Sequence, residues 1–255
     1  MKDVRAPAEL FDCRGRVALV TGASSGFGER FARVLDRAGA RVVITARRSN
    51  RLESLARDLA DPLALPGDIT DRTHRQAIID AIRTRYGRLD ILVNNAGNCD
   101  DGRLEDQSLD ELTAIVDLNL IAVLDLCRLA APLLFAAKHA SVVNIASMYG
   151  LVASRGGMAA YNATKGAMVN LTRNLAAQWG TRGVRVNALA PGFFPTEMTD
   201  MLADESWVSA LRERTLVGRV PTIGEIDGPL LFLVADASSY VTGHTLVVDG
   251  GWTAV

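Results

Sequence analysis

Val17-Ala18-Leu19-Val20-Thr21-Gly22-Ala23-Ser24-Ser25-Gly26-Phe27-Gly28 is the stretch that decides the fold. Four apolar residues in a row suit a strand buried on both faces. Thr21-Gly22 closes it with a turn, and Gly26 and Gly28 open a helix whose first-turn N–H groups have no partner within the helix. Those donors, together with the helix dipole, suit a pyrophosphate. Glycines alone also serve simple turns, and the spacing is GxxxGxG rather than the commoner GxGxxG. The order of strand, turn and helix gives the reading its weight.

Outward from this unit, short apolar runs alternate with amphipathic stretches, the pattern of a parallel sheet covered by helices on both faces. Strands are predicted at Val17–Val20, Val42–Thr45, Leu63–Leu65, Ile91–Val93, Ser141–Ile145, Arg185–Ala188 and Thr245–Val248. Helices are predicted at about 27–38, 50–60, 71–86, 108–137, 158–181 and 224–235, with Pro132 kinking the fourth or beginning its final turns. The expected fold is therefore α/β, a Rossmann-type doubly wound sheet of seven parallel strands in one domain spanning 1–255. Residues 196–221 break the alternation, with Met198, Met201, Leu202, Trp207, Val208 and Leu211 at helical spacing. They read either as a small helical lid over the site or as ordinary surface packing.

Composition narrows the function. Lys and Arg total 28 against 29 Asp and Glu, a net charge of −1, so no global field draws nucleic acid or an anionic membrane. Cys13, Cys99 and Cys127 show no CxxC spacing and the three histidines are scattered, so neither a disulfide framework nor a metal site is expected, and a reducing cytoplasm fits. Residues 1–16 are broken by charges and Pro7, which leaves no apolar signal segment.

The chemistry points to Tyr161-Asn162-Ala163-Thr164-Lys165, with Ser147 upstream. Residues i and i+4 share a helix face, so the Tyr161 phenol and the Lys165 ammonium come together. Reducing a carbonyl requires a hydride donor and a group that protonates the oxygen, and Tyr161 can give that proton or, in oxidation, take it. A free phenol has a pKa of about 10 and is a poor base at neutral pH; a neighbouring Lys165 is expected to lower it. Ser147, leaving the fifth strand, is placed to hydrogen-bond the substrate oxygen. A hydrolytic Ser147–His139 pair is disfavoured, since no Gly-x-Ser-x-Gly surrounds the serine. A non-catalytic nucleotide sensor on the same fold stays open.

TGASSGFG, Asn94-Asn95-Ala96-Gly97, Ser147, YNATK and Pro191-Gly192 occur in the order and at the intervals of the short-chain dehydrogenase/reductase family, and the resemblance covers essentially the whole chain. It implies an alcohol dehydrogenase or carbonyl reductase with a tetrad of Asn119, Ser147, Tyr161 and Lys165, the asparagine distorting its helix. It further implies cofactor contacts from Gly22, Ser24, Ser25, Gly26, Phe27 and Gly28, from Asp68 and Ile69 at the adenine, and from Asn95, Ala96 and Gly97. Tyr161 and Lys165 (the latter at the nicotinamide ribose), Pro191, Gly192, Phe194 and Thr196 complete that set. Asp68 also reads as a plain turn residue. Where NAD-specific relatives carry Asp after the second strand, this chain has Ala46 followed by Arg47 and Arg48, which suits the 2′-phosphate of NADP(H) rather than NAD(H); the arginines also read as helix-start solvation. Substrate contacts are expected from Ser147, Tyr149, Arg155, Tyr161 and Phe193, with Arg155 either receiving an anionic group or merely solvated. The resemblance is strongest to gluconate 5-dehydrogenases and 3-oxoacyl-carrier-protein reductases, so a small-molecule sugar acid or polyol is expected, with a 3-oxoacyl thioester as the alternative. A homotetramer is also implied.

Overall fold

The computed structural model describes residues 4–100 and 102–255. Strand β1 (Val17–Thr21) is buried along its whole length and lies in the middle of the sheet. Around it run β2 (Arg41–Ala46), β3 (Leu63–Pro66), β4 (Ile91–Asn94), β5 (Ala140–Ile145), β6 (Val184–Pro191) and β7 (Thr245–Val248). The order is β3-β2-β1-β4-β5-β6-β7, with every neighbouring pair parallel. Strand order reverses beside β1, where Val20 faces Ile44 on one side and Val93 on the other. A crevice opens at the carboxyl ends of β1 and β4, the place where such sheets bind ligands.

The period-2 geometry of a strand sends alternate residues to opposite faces, and the core divides accordingly. Val17 and Leu19 face one cluster with Ile78, Leu126 and Met168. Ala18 and Val20 face the other with Phe31, Leu35, Leu52 and Leu230. The first cluster draws on α4 (Arg72–Tyr86), α6 (Ala122–Ala136) and α7 (Ala159–Trp179); the second on α2 (Gly26–Arg37), α3 (Ser49–Asp58) and α9 (Asp227–Val234). A short α1 (Pro7–Leu10) precedes the sheet and was not expected from the pattern. Strand β6 runs beyond its expected end at Ala188 because Leu189, Ala190 and Pro191 remain paired with β7.

The helix expected over 108–137 is continuous but not uniform. Here α5 (Leu109–Val116) passes through a π turn, Asp117–Ile121, into α6. The irregularity lies at Asn119; α6 runs through Pro132 to Ala136. Pro132 is exposed, so the bond its missing N–H would have made faces water. Among the described residues, Leu109–Ala136 is the one helix long and apolar enough to cross a membrane, with mean hydropathy 1.8. It serves as a core helix, burying Leu126, Ala130, Leu133 and Leu134 in the first cluster. The segment that interrupts the alternation folds as 3-10 turns over Glu197–Ala203 and as α8 (Glu205–Arg214).

Candidate active site

The glycine turn is built by close approach to the end of β4. Gly22 has φ +67°, and a Cβ there would lie 2.8 Å from the Ala96 Cα. A Cβ on Gly28 would fall 2.1 Å from the Gly22 carbonyl oxygen. Asn95 Nδ2 donates to the Thr21 oxygen at 2.8 Å, while Thr21 Oγ1 accepts from the Asn95 and Ala96 N–H groups at 3.0 Å each. These bonds lace β1 to β4 at the mouth of the crevice and aim the first turn of α2 into it. Phe27 instead packs inward, edge-on to Phe194 at 5.3 Å, so both rings belong to the wall of the turn.

Beyond β2, the two arginines part company. Arg48 folds over the turn, donating from Nε to Ser24 Oγ at 3.1 Å and from a terminal nitrogen to Ser25 Oγ at 2.6 Å. Its other terminal nitrogen donates to Glu197 at 2.9 Å, and Arg51 donates to the same carboxylate. Arg47 is exposed and acts on Asp68 only through its field. Burial tends to raise the Asp68 carboxyl, but hydrogen bonds from the Thr70 N–H and hydroxyl, both 2.8 Å, bring it below the usual range. Ile69 is buried in the core, and its carbonyl accepts from Arg75 at 2.7 Å. A cleft of 960 Å³ opens on the Glu197 side of the glycine turn, away from Asp68 and Ile69, lined by Ser24, Ser25, Gly26, Arg51, Thr196 and Glu197 among others.

On the far side of the crevice, α7 presents Tyr161 and Lys165 toward Ser147 at the exit of β5. Lys165 is 6% exposed; its Nζ donates to the Ile145 oxygen at 2.8 Å and sits 5.5 Å from the Tyr161 ring centre. Loss of hydration pulls its pKa down to about 8. Tyr161 differs from expectation. Burial pushes its phenol up to about 12, and a hydrogen bond with Ser147 offsets this only in part. The sign is opposite to the expected one because the cost of removing a phenolate from water outweighs the hydrogen bond from Ser147, the one influence that lowers it. Ser147 Oγ also accepts from the Tyr149 N–H at 3.1 Å.

Asn119, 1% exposed, meets this group from the π turn. Its Oδ1 accepts from Asn98 N–H at 2.9 Å; its Nδ2 donates to the Asn98 oxygen at 2.8 Å and to Thr164 Oγ1 at 3.2 Å. The Thr164 hydroxyl in turn donates to the backbone carbonyl oxygen of Tyr161 at 2.8 Å. A Cβ on Gly97 would stand 3.1 Å from Asn119 Oδ1 and 3.5 Å from Lys165 Nζ, so Gly97 leaves the space in which all three elements converge. Asp100, which sequence reasoning passed over, is buried beneath the start of α7 and accepts from the Tyr161 N–H at 3.0 Å. Only its place after Asn94-Asn95-Ala96-Gly97 could have signalled it.

Past β6, Gly192 is closely packed. The backbone it admits is that of Asp249, whose Cα would be 2.8 Å from a Cβ, and its N–H donates to the Val248 oxygen at 2.9 Å. Pro191 ends β6, and Thr196 rests its Cβ 3.5 Å from where a Gly26 Cβ would be, across the mouth of the turn. Phe193 centres a ring cluster, 6.0 Å from Tyr149, 6.2 Å from Trp207 and 5.3 Å from Trp252. The Arg214 guanidinium lies over Trp252 at 4.5 Å and within electrostatic reach of Tyr149, with no carboxylate partner among the described residues. Arg155 lies elsewhere, exposed in a recess of 520 Å³ with Arg103, Glu105 and Asn162.

A dinucleotide cradle facing a Tyr–Lys–Ser group defines a nucleotide-dependent oxidoreductase. Residues 22–253 match the family model described as enoyl-(acyl carrier protein) reductase. The gluconate 5-dehydrogenase of Gluconobacter oxydans is 40% identical over 250 residues, covering 96% of this chain and 97% of that protein. The 3-oxoacyl-acyl-carrier-protein reductase of Escherichia coli is 35% identical over 238 residues, covering 93% and 97%. The crystal structure of a gluconate 5-dehydrogenase from Burkholderia cenocepacia, in complex with NADP and tartrate, superposes with TM-score 0.92 at 36% identity, covering 98% of this chain and 100% of that one. The chain belongs to the short-chain dehydrogenase/reductase family and is an oxidoreductase.

Proposed function

We propose that the protein interconverts a secondary alcohol and a ketone with NADP(H), acting on a sugar acid or polyol. The observation that carries the proposal is the group formed by the buried Ser147 and Lys165 with the half-buried Tyr161, facing the glycine turn across the crevice. The residues present fit the cofactor: Gly22, Gly26 and Gly28 free the N–H groups of the turn, Arg48 is held over it by Ser24 and Ser25, and Ala46 puts no carboxylate beside the ribose. Asn95, Ala96 and Gly97, with Asp68 and Ile69, would hold the adenosine and central portions, and Thr196 the carboxamide. When bound, the cofactor supplies or accepts hydride, and in its oxidised form adds positive charge beside Tyr161.

The chain's own part is proton handling. With its pKa near 12 the phenol is held as a donor, suited to protonate the oxygen of a ketone as negative charge develops there. Ser147 shares that oxygen's hydrogen bonding, and Lys165 stabilises the tyrosinate left behind. Asn119, from the π turn, and Asp100, from the loop after β4, position α7. Arg214, stacked on Trp252 beside Tyr149, supports an anionic substrate, for its planar fork matches a carboxylate. The gluconate 5-dehydrogenases among the relatives support the same class. A second reading, a 3-oxoacyl thioester reductase, draws on the carrier-protein reductases and on Arg103 and Arg155 sharing one surface recess where an acidic carrier could dock. We extend the proposal to a homotetramer, for which Ile121 and Leu124 supply an apolar face, 46% and 40% exposed.

The test follows nicotinamide absorbance with NADP+ and NADPH against sugar acids, polyols, 3-oxoacyl thioesters and hydroxysteroids. Tyr161→Phe should abolish turnover while keeping NADPH affinity within about twofold, since one hydroxyl is removed from the reacting centre alone. Turnover confined to thioesters would replace the sugar-acid reading with the second. Turnover that survives Tyr161→Phe would refute the mechanism.

A further inference from the structure

Glu197 belongs to the segment that interrupts the α/β alternation, yet its side chain reaches back to the cofactor side of the crevice. Its carboxylate is held by Arg48 and by Arg51, and Ser25 adds a hydrogen bond. Two guanidinium groups from the start of α3 and a hydroxyl from the start of α2 thus converge on one anion, at the lip of the glycine turn where Arg48 also grips Ser24 and Ser25. This arrangement is a built oxyanion seat, and its resident is a side chain of the protein itself. The carboxyl is held down to about 2 by Arg51, then Arg48 and Ser25, so it stays charged at any working pH. Glu197 follows Thr196, which rests against Gly26, so moving one moves the other.

We propose that Glu197 is an internal competitor for the 2′-phosphate of the cofactor and thereby a determinant of nucleotide selectivity, with Arg51 as a second phosphate-binding arginine beside Arg48. This rests on the NADP(H) reading given above. A phosphate monoester carries nearly two charges and three acceptor oxygens against the one charge and two oxygens of a carboxylate. It therefore displaces Glu197 from the pair of arginines, which a ribose hydroxyl cannot do. The cost of expelling Glu197 falls on the phosphorylated nucleotide alone. Affinity for NADP(H) in the native chain is accordingly lower than the two arginines would permit, and the loop bearing Thr196 shifts as the phosphate enters.

The experiment measures calorimetric affinities for 2′,5′-ADP and 5′-AMP, fragments that occupy the adenosine end and involve no turnover. Glu197→Gln should tighten 2′,5′-ADP relative to 5′-AMP by about tenfold, the scale of two half-exposed ion pairs no longer in competition. Arg51→Gln should weaken 2′,5′-ADP both alone and in the Glu197→Gln background, with thermal melts confirming that each variant folds. An unchanged ratio in Glu197→Gln would overturn the competition, and a fall in that ratio would make Glu197 a scaffold for the arginines instead. Arg51→Gln without effect in either background would remove Arg51 from the seat. If the unaltered protein binds both nucleotides equally, the NADP(H) reading itself fails, an outcome separate from the others.

Discussion

Replacing Asn119 by alanine removes three hydrogen bonds that join the loop after β4 to the helix carrying Tyr161 and Lys165. Their consequences are unequal. Thr164 keeps its bond to the Tyr161 backbone carbonyl, so its hydroxyl is not stranded. The two lost partners are the N–H and C=O of Asn98, an exposed residue whose backbone water can reach. Each therefore costs about 1 kcal/mol rather than the 3 kcal/mol of a sealed site. The expected loss is about 2 kcal/mol, or about 4–8 °C in Tm for a domain of this size. Function should suffer more than stability. With the Asn98 loop released, Gly97 no longer holds its place against Lys165 Nζ, and a displacement on the scale of 1 Å at the reacting groups costs about 10²-fold in kcat. Thermal melts with and without NADPH, together with steady-state kinetics, measure both quantities. Asn119→Ala that loses the expected stability but keeps its kcat would refute the positioning argument; one that loses neither would refute the hydrogen-bond arithmetic.

Two further outcomes follow from the geometry. Gly28→Ala should lower stability by about 3 kcal/mol or more and weaken NADPH binding at least about tenfold, because the new Cβ would stand 2.1 Å from a backbone carbonyl oxygen that cannot yield without opening the turn. Gly180→Ala, with nothing within 4 Å and helical dihedrals, should instead be neutral or gain up to about 1 kcal/mol, so equal melts for the two variants would contradict the reading. The pH profile has a definite sign: ketone reduction uses Lys165 in its charged form, and burial brings that lysine down to about 8. The kcat/KM for reduction, which reports the free enzyme, should hold below about pH 8 and fall above it; a profile level to about pH 10 would show that Lys165 keeps its proton.

Much of the sheet was legible because strand β1 and its turn are specified by neighbours in the chain. An apolar run, a glycine at φ +67° and a helix start are local properties, and the right-handedness of crossovers then decides on which face of the sheet each helix packs. The pairing of Tyr161 with Lys165 was readable for the same reason, since i and i+4 meet on any helix. The irregular turn at Asn119 followed from the family resemblance, and Pro132, expected to kink the helix or begin its final turns, stands in the last turns of α6, exposed so that its lost hydrogen bond costs little.

By itself, the sequence determined the local units: the phosphate turn, the alternation that builds two cores, and the i, i+4 pair on α7. Tertiary structure alone decided what faces those units. Asp100 reaches the Tyr161 N–H across 61 residues, and Glu197 reaches Arg48 across 149, distances over which no periodicity carries information. It also decided the sign of the Tyr161 shift, since the charge of a nearby lysine can be read from spacing, but the loss of water around a phenol exists only once the chain has closed over it.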